Sequence, residues 1–345
     1  MDIKKAVGLL VERHNLTFEQ MKAVMEQVVD GRASPAQIAA MLVAMRMKGE
    51  QVDEICAAVS VLRELATPVS IEADHLVDIV GTGGDGANLF NVSTAASFVA
   101  ACAGASVAKH GNRGVSSRSG SADLLQEAGV VLDLAPDQIA DCVHKLGLGF
   151  MFAPHHHQSM KSAAAPRKEL GIRTFMNILG PLLNPARVPN LLVGVYTRSL
   201  CEPVAHVLHR FGHRHALVVH SDDGLDEISV AAPTSVAELK NGEISSYSVT
   251  PESLGVARQN LTGLAVQNSG QSLALIRDAL GPQEGEWAAK AAAVIALNAG
   301  AAIYVAGCAE TLEEGVARAQ KIVGSGAALA KIDALVQQTN GYSRP

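Results

Sequence analysis

Apolar residues recur at helical spacing through the first seventy positions, and in short unbroken runs after that. Thr17 and Gln20 form a capping box, and Phe18, Met21, Val24, Met25 and Val28 follow on one helical face until Gly31. Ser34-Pro35-Ala36-Gln37 opens a second helix with an N-cap, a proline at the first helical position and a Gln three residues past the cap. Its apolar face is Ile38, Met41, Leu42 and Met45, and Gly49 closes it. A third helix is predicted from about Val52 to Leu65, stopping before Thr67-Pro68. Together they predict a small helical bundle.

Beyond Pro68 the period changes. Val77-Asp78-Ile79-Val80 reads as a strand, Ser93 to Cys102 as a helix closed by Gly104, and Ser106-Val107-Ala108 as a second strand. Leu192 to Tyr196 and Ala216 to Val219 read as further strands, with a helix from about Leu200 to Phe211 between them. Strands alternating with helices predict an α/β fold with a mainly parallel central sheet, covered on both faces. From about Ala163 the alternation is broken by a helix and the loop-like Gly180-Pro181-Leu182-Leu183-Asn184-Pro185. The predicted organisation is therefore a helical domain of residues 1–70, joined by a returning segment at about 163–187, and an α/β domain of residues 71–345.

Composition narrows the class. Of 345 residues, 48% are hydrophobic and 18% charged, enough for a large core and against wholesale disorder. A formal charge of −6 argues against a nucleic-acid partner, while leaving room for a local anion pocket. No apolar stretch is expected to reach the roughly 18 residues of a membrane span. The first residues show no secretory-signal pattern, and five widely spaced cysteines form no C-x-x-C pair; a cytoplasmic location is expected.

Three segments carry chemistry. Gly81-Thr82-Gly83-Gly84-Asp85-Gly86 follows a strand and leads to Asn91-Val92-Ser93-Thr94 at a helix start. Glycines let backbone approach an anion, and the helix N-terminus offers free N–H groups. Taken alone the segment is equally an ordinary tight βα turn, and it matches neither G-x-G-x-x-G nor the P-loop. The second segment, Lys109 to Asp123, crowds Lys109, His110, Arg113, Arg118, Ser116, Ser117, Ser119 and Ser121 after a strand. It reads either as a phosphate cradle or as a solvated loop capping the helix near Ser121. Two such loops at the carboxyl ends of neighbouring strands favour a polyphosphate ligand. The third, Ser221-Asp222-Asp223-Gly224-Leu225-Asp226-Glu227, places carboxylates at a strand end, a sensible Mg²⁺ site beside phosphates and otherwise a polar turn. His155-His156-His157 is expected to be solvated or hydrogen-bonded rather than a metal site, and His206, His209, His213 and His215 are expected to face different ways. Lys161, Arg167, Lys168 and Arg173 read as a solvated helix face, unless an Arg turns inward to hold a carboxylate.

These segments, with Phe152-Ala153-Pro154, Arg167-Lys168-Glu169-Leu170-Gly171-Ile172-Arg173-Thr174, Asn177 to Pro185 and Asp223 to Glu227, closely resemble anthranilate phosphoribosyltransferase, a family of tryptophan biosynthesis. The matches run in order over most of the chain. The resemblance implies the nucleoside phosphorylase/phosphoribosyltransferase-like fold and a homodimer formed through the helical domain; with the sequence beginning at the helical part, no fused glutamine amidotransferase domain is expected. It implies transfer of the phosphoribosyl group from 5-phospho-α-D-ribose 1-diphosphate to anthranilate with Mg²⁺. Carried over by position, Gly81, Gly84, Asp85, Asn91, Val92, Ser93 and Thr94 match the donor site. So do Lys109, His110, Gly111, Asn112, Arg113, Gly114, Val115, Ser116, Ser117 and Ser121. Gly81, Asn112 and Arg167 match anthranilate contacts, and Ser93, Asp226 and Glu227 match metal ligands. No residue is assigned as acid or base. Leu89 departs from the family pattern, standing where a hydroxyl usually reaches the donor, and Lys168 replaces a frequent arginine. Two other readings share the fold type: a pyrimidine nucleoside phosphorylase and a nucleic-acid-binding relative. The acidic pair and the net charge argue against them.

Overall fold

The computed structural model describes residues 1–114 and 117–342. Among them, the first seventy positions hold four helices, α1 (Ile3–Val11), α2 (Phe18–Val29), α3 (Pro35–Lys48) and α4 (Val52–Glu64). The capping boxes at Thr17/Gln20 and Ser34/Gln37 both form. Sequence pattern missed α1, which is only nine residues long; Asp2 caps it by accepting the Lys4 N–H at 2.7 Å, and Ile3, Ala6 and Leu10 are buried. Between α3 and α4 lies an ion pair of Lys48 and Glu54 at 2.9 Å, with side chains 3% and 0% exposed. Glu54 also accepts the backbone N–H groups of Leu16 and Gln51, so its charge is fully coordinated inside the bundle.

One seven-stranded sheet follows, in the order β3-β2-β1-β4-β5-β6-β7. The strands are β1 (Leu76–Gly81), β2 (Ser106–Gly111), β3 (Leu148–Phe152), β4 (Asn190–Gly194), β5 (His215–Ser221), β6 (Thr234–Lys240) and β7 (Glu243–Val249). β3 through β5 in that order are parallel, while β6 and β7 add antiparallel strands at one edge. Sequence pattern missed β3, β6 and β7. The β6–β7 hairpin turns at Asn241-Gly242, both at positive φ, a turn signal that was available in the sequence.

Helices Ala164–Leu170 and Phe175–Leu179 pack on α3, and the second also on α4. Phe175, Met176, Ile178 and Leu179 share one buried core with Met21, Leu42 and Leu62, and that core continues onto the Leu191/Val193 face of β4. The opposite face of the sheet is covered by the helices Val92–Cys102 and Ala288–Val305. Ala288–Val305 corrects the expectation about apolar stretches: it is 18 residues long with mean hydropathy 1.6, but 83% of it is buried inside the protein. Its length comes from spanning the core, with Asn298 bonded to Ile228 on both its amide and carbonyl sides.

Candidate active site

β1 ends in the glycine loop because the chain must turn back towards the helix Val92–Cys102. Gly83 and Gly84 hold φ of +65° and +80°, which side-chain-bearing residues rarely adopt. The Gly83 N–H donates to Asp226 Oδ2 at 2.7 Å, so the loop after β1 is tied to the acidic turn after β5. Asn91 ties it to the second loop. Its amide donates to the Ser119 carbonyl at 3.1 Å, and its oxygen accepts from Ser119 Oγ at 2.8 Å and Ser272 Oγ at 2.7 Å.

The second loop closes on itself around Asp123. That carboxylate accepts the N–H groups of Gly114 and Gly120 at 2.8 and 3.0 Å and pairs with Arg113 at 3.0 Å, which holds it below the ordinary carboxylate range. A Cβ on Gly120 would overlap backbone of Asn112, Arg113 and Gly114, so this closure requires glycine. Lys109 is buried on β2, donating to the Ile79 carbonyl and lying 3.4 Å from Ser93 Oγ. Burial lowers its pKa, opposed by the charges of Asp78 and Glu227. Asp78 is itself buried, accepts from Ile79 N, His110 N and Asn184 Nδ2, and is pushed up to about 6 by burial. It fastens β1, β2 and the returning segment together. Asp78 is a positioning group that pattern reading did not single out, because a carboxylate within an apolar strand shows its partners only in three dimensions.

A cleft of about 300 Å³ opens at the carboxyl ends of β1 and β2. From the sequence-predicted set it brings together Gly81, Asn91, Ser93, Thr94, Lys109, His110, Gly111, Asn112, Arg113, Gly114, Ser117, Ser121, Arg167, Asp226 and Glu227. Gly84, Asp85 and Val92 are not on its wall; Val92 is buried in the core, and Asp85 caps its own turn by accepting the Ala87 N–H. Val115 and Ser116 lie outside the described residues. Leu89 pairs with Ala265 in an isolated bridge and packs on the core, so it offers the cleft nothing polar. Lys168 is exposed, whereas Arg167 is half-buried, its pKa lowered by that burial.

The triple histidine, expected to be solvated or hydrogen-bonded, is so at His155 and His156, while His157 turns inward. His155 is exposed, but His156 and His157 are buried, and His156 Nδ1 bonds the Thr67 carbonyl at 2.9 Å. His157 lines the cleft, edge-on to His110 with ring centroids 5.0 Å apart. Burial pushes His157 down to about 4 and His110 well below its usual value, so both are neutral at pH 7. Among the described residues, no hydrogen-bond partner meets the geometric limits for the buried ring nitrogens of His157, His110 Nε2 or Thr94 Oγ1. All three residues line this one cleft, and a ligand there would satisfy them. Met160, Met176, Pro181 and Leu183 add apolar side chains to the same lining as Arg167. The other histidine group forms no cluster: His213 Nδ1 bonds Leu208 O and His215 bonds Glu238.

Glu227 meets the helix start at the Ser93 N–H, and Asp226 meets the glycine loop at the Gly83 N–H. Burial raises both pKa values first; Asp226 is raised further by Asp85 and Glu227 by Asp226, and the Ser93 N–H opposes the rise at Glu227. Two buried carboxylates repelling each other beside a hydroxyl form a hard-oxygen donor set that a divalent cation would stabilise. Among the described residues no three His, Cys, Asp or Glu side chains form a complete metal site. A cation here would therefore need ligands from phosphate or water as well, which is the habit of Mg²⁺.

The class of the protein follows from two family models that match successive parts of the chain, both of the glycosyl transferase family. Residues 4–66 match the helical bundle domain of the glycosyl transferase family, and residues 73–329 match its a/b domain. An anthranilate phosphoribosyltransferase from Stutzerimonas stutzeri is 58% identical over 339 residues, 98% of this chain and 97% of that one. The crystal structure of the Thermus thermophilus enzyme of that name superposes with a TM-score of 0.89 at 39% identity, covering 97% of this chain and 99% of the other. A Saccharomyces cerevisiae anthranilate phosphoribosyltransferase in complex with PRPP and Mg shares the fold, with a TM-score of 0.86 at 22% identity and 98% coverage of both chains. This chain belongs to the anthranilate phosphoribosyltransferase family.

Proposed function

We propose that the cleft transfers the phosphoribosyl group of 5-phospho-α-D-ribose 1-diphosphate to the amine of anthranilate, releasing diphosphate. The observation that carries this reading is a single cleft lined by both kinds of group. Its basic wall is a helix N-terminus, Lys109 and glycine backbone, and its acidic wall is Asp226 and Glu227, held against the first by the Gly83 and Ser93 N–H groups. An orthophosphate-dependent nucleoside phosphorylase has no need of the acidic wall. The basic wall would hold the donor phosphates through Gly81, Ser93, Thr94, Lys109, Asn112 and the Arg113–Ser121 loop. Gly84 and Asp85 would bound the diphosphate from behind the wall. Ser93, Asp226 and Glu227 would hold Mg²⁺, which when bound neutralises charge on the departing diphosphate. The S. cerevisiae complex with PRPP and Mg supports this choice of ion.

The C1–O bond to diphosphate breaks as the amine nitrogen bonds C1, and the amine then loses one proton. An aromatic amine is nucleophilic when neutral, so orientation and charge stabilisation carry the rate. Arg167 supplies a guanidinium fork for the anthranilate carboxylate, and the apolar side chains of the same lining would receive the ring. Neutral His110 and His157 offer hydrogen-bonding nitrogens without placing a positive charge beside the amine. We assign no acid or base.

The same reading makes residues 1–70 with 163–187 one domain and 71–345 the other, in a cytoplasmic homodimer joined through the bundle. Val11 and Met47, 65% and 71% exposed on the packed pair α1 and α3, support that placement. Mixing the protein with anthranilate, the donor and Mg²⁺, and following loss of the free amine, tests the activity. A folded protein that consumes no anthranilate overturns it. Sedimentation at micromolar concentration tests the dimer, and a monomer refutes it.

A further inference from the structure

Arg173 plays no part in the cleft described above. It lies between the helices Ala164–Leu170 and Phe175–Leu179, six residues beyond Arg167. Its stem packs on the glycine loop: a Cβ built on Gly84 would meet Arg173 Cδ and Nε at 3.3 Å each. Gly84 holds φ of +80°, so bare backbone faces the arginine there. The guanidinium carbon stands 5.3 Å from the ring centroid of Tyr196, just past the end of β4. Arg46 of α3 lies 5.6 Å from the same ring, its Nη1 3.5 Å from the phenol oxygen. Among the described residues no carboxylate pairs with Arg173 within 4.0 Å.

An arginine fixed on an aromatic shelf, with no carboxylate consuming its charge, is pre-organised for an anion. The nearest place for one is the Gly81–Gly86 loop, where Asp85, Asp226 and Glu227 already gather negative charge and would oppose a diphosphate. We propose that Arg173 is a positioning residue for the diphosphate end of the donor, holding the loop through Gly84 and supplying positive charge behind it. The proposal rests on reading the cleft as a phosphoribosyl transferase. Because the Tyr196 ring also carries Arg46, the loop is linked to the helical bundle through one side chain.

The test compares Arg173→Gln and Arg173→Lys with the wild type, using magnesium pyrophosphate alone as a calorimetric probe and both substrates in steady-state kinetics. Arg173→Gln is expected to weaken pyrophosphate binding and raise the donor KM by about tenfold, the size of one lost charge-assisted contact, with the anthranilate KM within about twofold. Arg173→Lys, which keeps the charge, is expected to recover most of that loss. A strut without an electrostatic role would lower the melting temperature and shift both KM values together; that result, or unchanged pyrophosphate binding, overturns the proposal. If Arg173→Gln does not fold, Arg173→Met, which keeps the stem against Tyr196, is read by the same criteria. A wild type that binds magnesium pyrophosphate but transfers nothing to anthranilate refutes the transferase reading alone, and the binding comparison still decides Arg173.

Discussion

Gly194 at the end of β4 packs directly under Asp226, leaving no room for a side chain: a Cβ there would overlap the Asp226 carbonyl and lie 3.0 Å from the Asp226 Cα. The acidic turn therefore rests on the neighbouring strand rather than on its own loop. Gly194→Ala must displace backbone, at an overpacking cost of about 1–3 kcal/mol. The displacement falls on the carboxylate that accepts the Gly83 N–H. Turnover is expected to fall at least about tenfold, as a misplacement near 1 Å commonly costs more than that. Mg²⁺ titrations of rate alongside a melting curve check it; wild-type turnover would show that the turn is not set by Gly194.

Asp226→Asn combined with Glu227→Gln keeps shape and removes charge. Turnover is expected to fall by about a hundredfold or more, the scale of losing one transition-state charge contact. Stability should move the other way. Burial and repulsion raise both pKa values above the unfolded values, so the metal-free protein is most stable with the pair protonated and loses that stability as pH rises through the native pKa values. Neutral amides remove the cost, and the metal-free double variant should melt at or above the wild-type temperature at pH 8. A folded variant with near-normal turnover at limiting Mg²⁺ would rule out this metal site.

Arg167 and Lys168 are adjacent but differently placed: Arg167 lines the cleft and Lys168 is exposed. Arg167→Ala is expected to raise the anthranilate KM roughly ten- to a hundredfold, with a much smaller change for the donor. Lys168→Ala should change neither by more than about twofold. Equal and mild effects would displace the acceptor site from Arg167.

The Lys48–Glu54 pair is not part of the cleft lining and is expected to matter only to folding. Glu54→Ala strands a buried ammonium and orphans the N–H groups of Leu16 and Gln51. A loss of about 3–5 kcal/mol is expected, read by chemical denaturation. A loss below about 1 kcal/mol would mean that water reaches Lys48.

Much of the site was legible in the sequence because its pieces are local. Gly83 and Gly84 announce a turn at positive φ, Ser93 and Thr94 sit at a helix start, and Lys109 lies in the second half of a short strand, each within a few residues of its neighbours. The capping boxes at Thr17 and Ser34 are local in the same sense, and both form. The helix Ile3–Val11 and the strand Leu148–Phe152 were too short for their periodicity to stand out.

What the chain alone determined, then, was the inventory: two anion loops, an acidic turn, an inward-capable arginine and the alternation that implies a parallel sheet. Tertiary structure decided the pairings. Asp78 is joined to Asn184 across 106 positions and Gly83 to Asp226 across 143, and no pattern of nearby residues encodes such separations. It also turned His157 from an expected surface residue into a buried neutral wall of the cleft, and set Arg173 against Gly84 and Tyr196. Burial and charge depend on everything packed around a group, so they exist only once the distant segments have met.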